Sequence, residues 1–143
     1  MRNCYLRAGT VKPEEIFPKL GESVHLFGKR VSLDSVRYEV YAKKGMKCVS
    51  CGIEGHFFAV ERSRYLVQGN PDKYHLNLYH IAPDGGEIMM TVDHIVPKSK
   101  GGLRTLDNLQ PMCENCNVKK GNTHEECGQT GQPEKCVDIP TAI

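Results

Sequence analysis

Asp93 and His94 stand side by side at the end of a short apolar run, Thr91-Val92-Asp93-His94-Ile95-Val96-Pro97. Further on, Cys113-Glu114-Asn115-Cys116 is followed at once by Asn117 and then by Lys119-Lys120. A neutral imidazole is a base at cellular pH, so His94 can take a proton from water. Asp93 offers a carboxylate and Asn117 an amide oxygen, the donors that a hard cation of the magnesium type accepts. Such a cation leaves positions in its shell for water and an anionic substrate, which it polarises as a Lewis acid. Base and hard-metal ligands together make metal-assisted hydrolysis the chemistry of this stretch, and a phosphodiester suits it.

Seven cysteines form an odd count, and four fall into two Cys-x-x-Cys pairs, Cys48/Cys51 and Cys113/Cys116. Met1-Arg2-Asn3-Cys4 leads into no apolar signal core, and two such pairs then favour a four-thiolate Zn2+ site over disulfides. That zinc is structural. It holds the start of the helix carrying Asn117, and the catalytic cation is separate. Cys4, Cys127 and Cys136 are left over, and His124 with Cys127 and Cys136 fits no knuckle spacing.

The positioning elements follow from periodicity and turn chemistry. Leu33, Val36, Val40 and Tyr41 have helical spacing, with Ser32 or Asp34 as cap and Gly45 at the C-terminus, so a helix enters the first knuckle. His56 to Val67 reads as a strand closed by a turn at Gly69-Asn70-Pro71-Asp72. Tyr74 to Ala82 alternates with Leu76 and Leu78 on one face, and Pro83-Asp84-Gly85-Gly86 turns it back into Glu87 to Val92, an antiparallel hairpin. Residues 96–105 form a Gly-Gly loop, Leu106 to Met112 an extended return, and Glu114 to Lys120 a short helix ended by Gly121. Neighbouring residues of a strand point to opposite faces, so Asp93 and His94 share a pocket only if the strand breaks there. Asn108 is placed to bond the loop around His94. His80 is the one further histidine that the hairpin could bring to the site.

Residues 1–31 carry weak periodicity and read as an extended N-terminal arm with a turn of helix at Pro13 to Phe17. Residues 32–123 form the functional domain, and 124–143 a polar tail. At 143 residues, without tryptophan, the chain is one domain in size. No apolar run is long enough to span a membrane, so the expectation is a cytoplasmic protein, in a bacterial host if phage-encoded. The net charge of +2 announces no nucleic-acid binder, but Lys98, Lys100, Arg104, Lys119 and Lys120 flank the motif on both sides and suit phosphate contacts.

Val92-Asp93-His94-Ile95-Val96-Pro97-Lys98-Ser99-Lys100-Gly101-Gly102, Asp107-Asn108-Leu109-Gln110 and Cys113 to Gly121 resemble, in order and spacing, the signature of HNH endonucleases of the ββα-metal group with a zinc ribbon. The resemblance covers residues 46–122. It implies an α+β fold, a ββα-metal core with zinc ribbon, hairpin and flanking helix, and cleavage of duplex or branched DNA leaving 5′-phosphate and 3′-hydroxyl ends. His94 matches the general base, Asp93 a catalytic-metal ligand, Asn108 the loop-holding Asn, Asn117 the last motif position, and Cys48, Cys51, Cys113 and Cys116 the zinc ligands. Many members have His where this chain has Asn117, and the amide oxygen argues for Mg2+ or Mn2+ over a softer ion. Small proteins of this pattern are frequent in phages, so a phage or host protein complex is a partner to consider. A homodimer is another, because one active site cuts one strand per encounter. The rival class is a zinc-ribbon DNA-binding or adaptor module without turnover, and RNA is the alternative substrate.

Overall fold

The computed structural model describes residues 5–64 and 73–122, and β5 (Lys73–Ile81) is the strand against which its other elements are laid. Tyr74, Leu76 and Leu78 alternate onto one face of β5, while Asn77 and Tyr79 are buried on the other. β4 (Phe57–Ser63) runs antiparallel to β5 with Phe58 opposite Leu78 and Val60 opposite Leu76. β1 (Tyr5–Val11) pairs with the far side of β4, with a register shift between Arg7 and Gly9. β6 (Glu87–His94) folds back on β5 through the Pro83 to Gly86 turn, and β7 (Leu109–Cys113) pairs antiparallel with β6, Asp93 opposite Gln110. A hairpin of β2 (Ser23–Leu26) and β3 (Lys29–Ser32) meets β5 by a short parallel pairing, Val31 opposite Tyr74. Among the described residues the architecture is mixed α+β, a largely antiparallel sheet with few helices and one cluster of four cysteines.

Three helices accompany the described strands: α1 (Pro13–Ile16), α2 (Val36–Lys44) and α3 (Glu114–Asn122). α2 begins later than its apolar spacing suggests. Its cap is Ser35, whose hydroxyl accepts from the Arg37 N–H, and not Ser32 or Asp34, which bond to one another. Leu33 is buried ahead of the helix rather than in it. Gly45 ends α2 at φ +97°, a conformation that a residue with Cβ adopts only under strain. No described helix is long and apolar enough to cross a membrane.

Residues 1–31, expected as an arm, are extended over much of their described length, but they are packed. β1, β2 and β3 are sheet strands, and Ile16 and Val31 are fully buried. Phe58 explains part of this. Its ring meets Phe17 of the N-terminal segment and Tyr38 edge-on, and Tyr41 at a tilt, with centroids 6.0 to 6.2 Å apart. Each such pair contributes about 0.5–1.5 kcal/mol beyond area burial. The strand expected over Tyr65 to Val67, the turn at 69–72, the tail and Cys4, Cys127 and Cys136 lie outside the described residues.

The opposite face of the sheet holds a polar network. Glu61, 2% exposed, accepts from Asn77 Nδ2 and the Tyr79 hydroxyl at 2.7 Å and from Arg7 Nε at 2.8 Å. Arg7 also forks onto Glu87 and lies over the Phe57 and Tyr79 rings. A buried carboxylate satisfied on both oxygens is tolerated, whereas removing one partner would leave it uncompensated.

His75 lies beside this network, edge-on to Tyr5, and burial, reinforced by the charge of Arg37, depresses its pKa to about 4. The unfolded chain, with an ordinary imidazole near 6.5, then binds more protons than the folded one between those values, so stability falls as pH drops through that window. The full effect is on the order of 3 kcal/mol. Urea unfolding at pH 7 and pH 4.5 should therefore show a steeper acid loss for the parent than for His75→Phe, and equal losses would contradict the assignment.

Candidate active site

The cysteine pairs come from two distant turns. Between α2 and β4, the Cys48 N–H donates to the Ile53 carbonyl and Gly52 N–H to the Cys48 carbonyl, folding the first knuckle, while Val49 N–H donates to Pro111 O and straps it to β7. Cys113 ends β7 and Cys116 lies in the first turn of α3. The four Sγ atoms lie within 4.8 Å of one another, a set able to hold a metal ion. Burial opposes charge at both inner sulfurs. At Cys48 it is outweighed by N–H donors, including those of Ser50 and Cys51, and the thiol comes down to about 6. At Cys113 burial and the neighbouring sulfurs prevail and push it up to about 12. Four thiolates this close repel one another, and a bound dication removes the conflict.

A cleft of about 190 Å³ opens between the end of β6 and α3, lined by Asp93, His94, Pro97, Lys98, Asn117, Lys120 and Gly121. Asp93 and His94 are both still in the β6–β7 ladder, opposite Gln110 and Leu109, so the strand does not break between them; it stops after His94, and both residues line the cleft at that end. The Asp93 carboxylate is 14% exposed, bonds Gln110 Nε2 at 3.3 Å and is ion-paired with Lys120, whose ammonium also reaches the His94 carbonyl. The Nε2 of His94 is enclosed and finds no hydrogen-bond partner among the described residues. Asn117 donates from Nδ2 to Thr91 Oγ1 at 2.9 Å. The Asp93 carboxylate and the Asn117 amide offer hard oxygens, donors of the kind that a divalent ion of the magnesium type would fit.

The loop after His94 is clasped from one residue. Asn108 accepts the Val96 N–H at 2.8 Å through Oδ1 and donates from Nδ2 to the Val96 and Leu103 carbonyls, while its own carbonyl takes the Ile95 N–H. Gly101 is at φ +89°, and a Cβ on Gly102 would meet the Val96 carbonyl oxygen at 1.8 Å. The Gly-Gly pair is what lets the chain close on itself here.

Of the residues singled out in the sequence, the structure brings Asp93, His94, Asn117, Lys98 and Lys120 to one cleft and sets Asn108 beneath its loop. Lys100, Arg104 and Lys119 are exposed and do not line it. Lys120, read as a phosphate contact, stands on Asp93. His80 does not reach the cleft, because it stacks on His56 at 4.9 Å and bonds the Glu54 carbonyl. Thr91 and Gln110 went unassigned in the sequence. Thr91 shares a strand face with Asp93 at i+2, and Gln110 sits opposite Asp93 in register, signals that exist only once β6 and β7 are paired.

Gly102→Ala should lower the unfolding free energy by about 1–3 kcal/mol and displace the amide resonances of Ile95 to Lys98, as overpacking does. An unchanged denaturation midpoint with an unmoved loop would contradict the close approach.

The family model for HNH endonucleases matches residues 69–123, which contain β5 to α3, the whole cleft and one half of the cysteine cluster. A CRISPR-associated endonuclease Cas9 of Corynebacterium diphtheriae is 24% identical over 119 residues, which are 82% of this chain. Those residues are only 8% of that protein, so the chain spans a small part of its length. No solved structure gives a significant match. With the cleft, its loop and the cysteine pair all inside the matched segment, residues 69–123 are the part of the chain that is similar to HNH endonucleases.

Proposed function

We propose that the chain is a divalent-metal-dependent endonuclease that hydrolyses DNA phosphodiester bonds, with Zn2+ at the four cysteines and Mg2+ or Mn2+ at Asp93 and Asn117. The observation that carries this reading is the convergence of Asp93, His94 and Asn117 on one cleft with lysines at its rim. When bound, the hard cation supplies Lewis-acid stabilisation of the phosphoryl and departing oxygens. His94 does the proton work. With Nε2 enclosed, Nδ1 is the nitrogen that takes a proton from the attacking water. The water oxygen bonds to phosphorus, the bond to the 3′ oxygen breaks, and that oxygen leaves protonated by solvent.

Asn108 holds the loop so that the imidazole keeps its aim. Lys120 balances the Asp93 carboxylate, and its ammonium would be available to a substrate phosphate if Asp93 held a divalent cation. Lys98 contacts a neighbouring phosphate, while Lys100, Arg104 and Lys119 extend the positive surface along the backbone without reading bases. The cysteine site clamps α3, and hence Asn117, against β6.

A plasmid-nicking assay with magnesium tests the reading. His94→Ala and Asp93→Ala should each lose at least about a hundredfold in rate, and a His94→Ala protein that cuts like the parent would refute the mechanism. Absence of cleavage by the parent under Mg2+ and Mn2+, with tight DNA binding retained, would favour the adaptor alternative. Structured RNA digested in parallel decides the substrate. Elemental analysis should find about one zinc per chain, and its removal by chelation should unfold the domain. A folded, zinc-free chain would contradict the structural role of the cluster.

A further inference from the structure

Thr91 precedes Asp93 by two residues on β6, so both side chains leave the strand on the face covered by α3. The Thr91 hydroxyl has one proton. The Met112 carbonyl lies 2.6 Å from Oγ1 and can only accept, so the proton is committed there. What Oγ1 has left is lone-pair density. The Asn117 amide, 2.9 Å away, can meet it only with an N–H, which turns Nδ2 toward Thr91. The carbonyl oxygen, at the other end of the planar amide, is thereby turned away from Thr91, and Asn117 is one of the residues that line the cleft. The flipped amide would set two lone pairs face to face and present N–H groups to a cation.

Resting on the reading of Asn117 as an oxygen donor to the divalent cation, we infer that Thr91 is a positioning residue: its hydroxyl, oriented by Met112, locks the Asn117 amide with Oδ1 toward the metal. The β6–β7 ladder supplies the reference frame, since Thr91 and Met112 are cross-strand partners. The amide is held by strand pairing rather than by the helix that carries it. An aspartate at 117 would lose the lock, having no N–H to give to Oγ1.

The test is Mn2+ binding to the zinc-loaded full chain, followed by the electron paramagnetic resonance signal of the free ion. Thr91→Val, which keeps the shape and removes the hydroxyl, should weaken Mn2+ binding about tenfold or more, the usual loss when a ligand's supporting hydrogen bond goes. Thr91→Ser should bind as the parent does. A Thr91→Val protein that binds Mn2+ like the parent, or a Thr91→Ser protein as impaired as Thr91→Val, overturns the inference. A hydroxyl that merely stabilised the fold would shift the melting temperature of Thr91→Val and leave Mn2+ affinity alone.

Asn117→Ala separates the two layers. If it binds Mn2+ as tightly as the parent, the ligand reading itself falls. If it binds weakly while Thr91→Val does not, only the positioning role falls. Should Thr91→Val fail to fold, nuclear magnetic resonance of the parent decides. Mg2+ should move the Asn117 13Cγ resonance while the side-chain amide protons stay slow to exchange, and an unmoved 13Cγ or freely exchanging protons would overturn the lock.

Discussion

Four sulfur atoms within 4.8 Å of one another join two turns of the chain, and Cys51 and Cys113 alone are 62 positions apart. Bringing four thiols together costs loop entropy and, once they ionise, mutual repulsion. A metal dication held there would offset both, and its binding energy would then be part of the folding energy. The geometric consequence is local. Cys113 closes β7 and Cys116 sits in the first turn of α3, so the cluster sets where that helix starts and how it lies across β6. Further ties act alongside it: Val49 N–H on the Pro111 carbonyl, Lys44 on the Leu109 carbonyl, and Glu114 accepting the Met89 N–H.

The cleft inherits its order from that placement. Thr91 and Asp93 look up from β6 at Asn117 and Lys120 on α3, one contact for each residue of the strand face. His94 lines the same cleft as the last residue of β6, just before the loop that Asn108 clasps and Gly101-Gly102 closes. The charge pattern is consistent with the chemistry. The largely buried Asp93 carboxylate is held by the Lys120 ammonium, and exchange of one positive group for another would leave no buried charge alone.

The cysteine pairs, the Asp-His pair and the hairpin were legible in the sequence because their signals are local: Cys-x-x-Cys spacing, a strand end before Pro97, and alternation around Pro83 to Gly86. What stayed hidden depends on contacts between distant segments. Tyr5–Val11 reads as an indistinct arm, with Arg7, Gly9 and Thr10 interrupting any apolar pattern, yet it is a strand because β4 offers an edge and Glu61 a buried partner for Arg7. Ser32 and Asp34 can each cap a helix, but β3 ends at Ser32 and the two side chains bond to one another, which leaves the cap to Ser35. Lys120 looks like any basic helix end until α3 is laid on Asp93. Thr91 is an ordinary strand residue until Met112 and Asn117 claim both sides of its hydroxyl.

In the mechanism proposed above, Asp93 and Asn117 hold one hard cation facing the imidazole of His94. The most direct measurement is anomalous diffraction from crystals of the zinc-loaded protein with a short DNA duplex and Mn2+. A manganese peak should lie within bonding distance of an Asp93 carboxylate oxygen and the Asn117 carbonyl oxygen, with Lys120 withdrawn from Asp93. Manganese bound elsewhere, with the Lys120 to Asp93 ion pair intact beside the bound DNA, would contradict it.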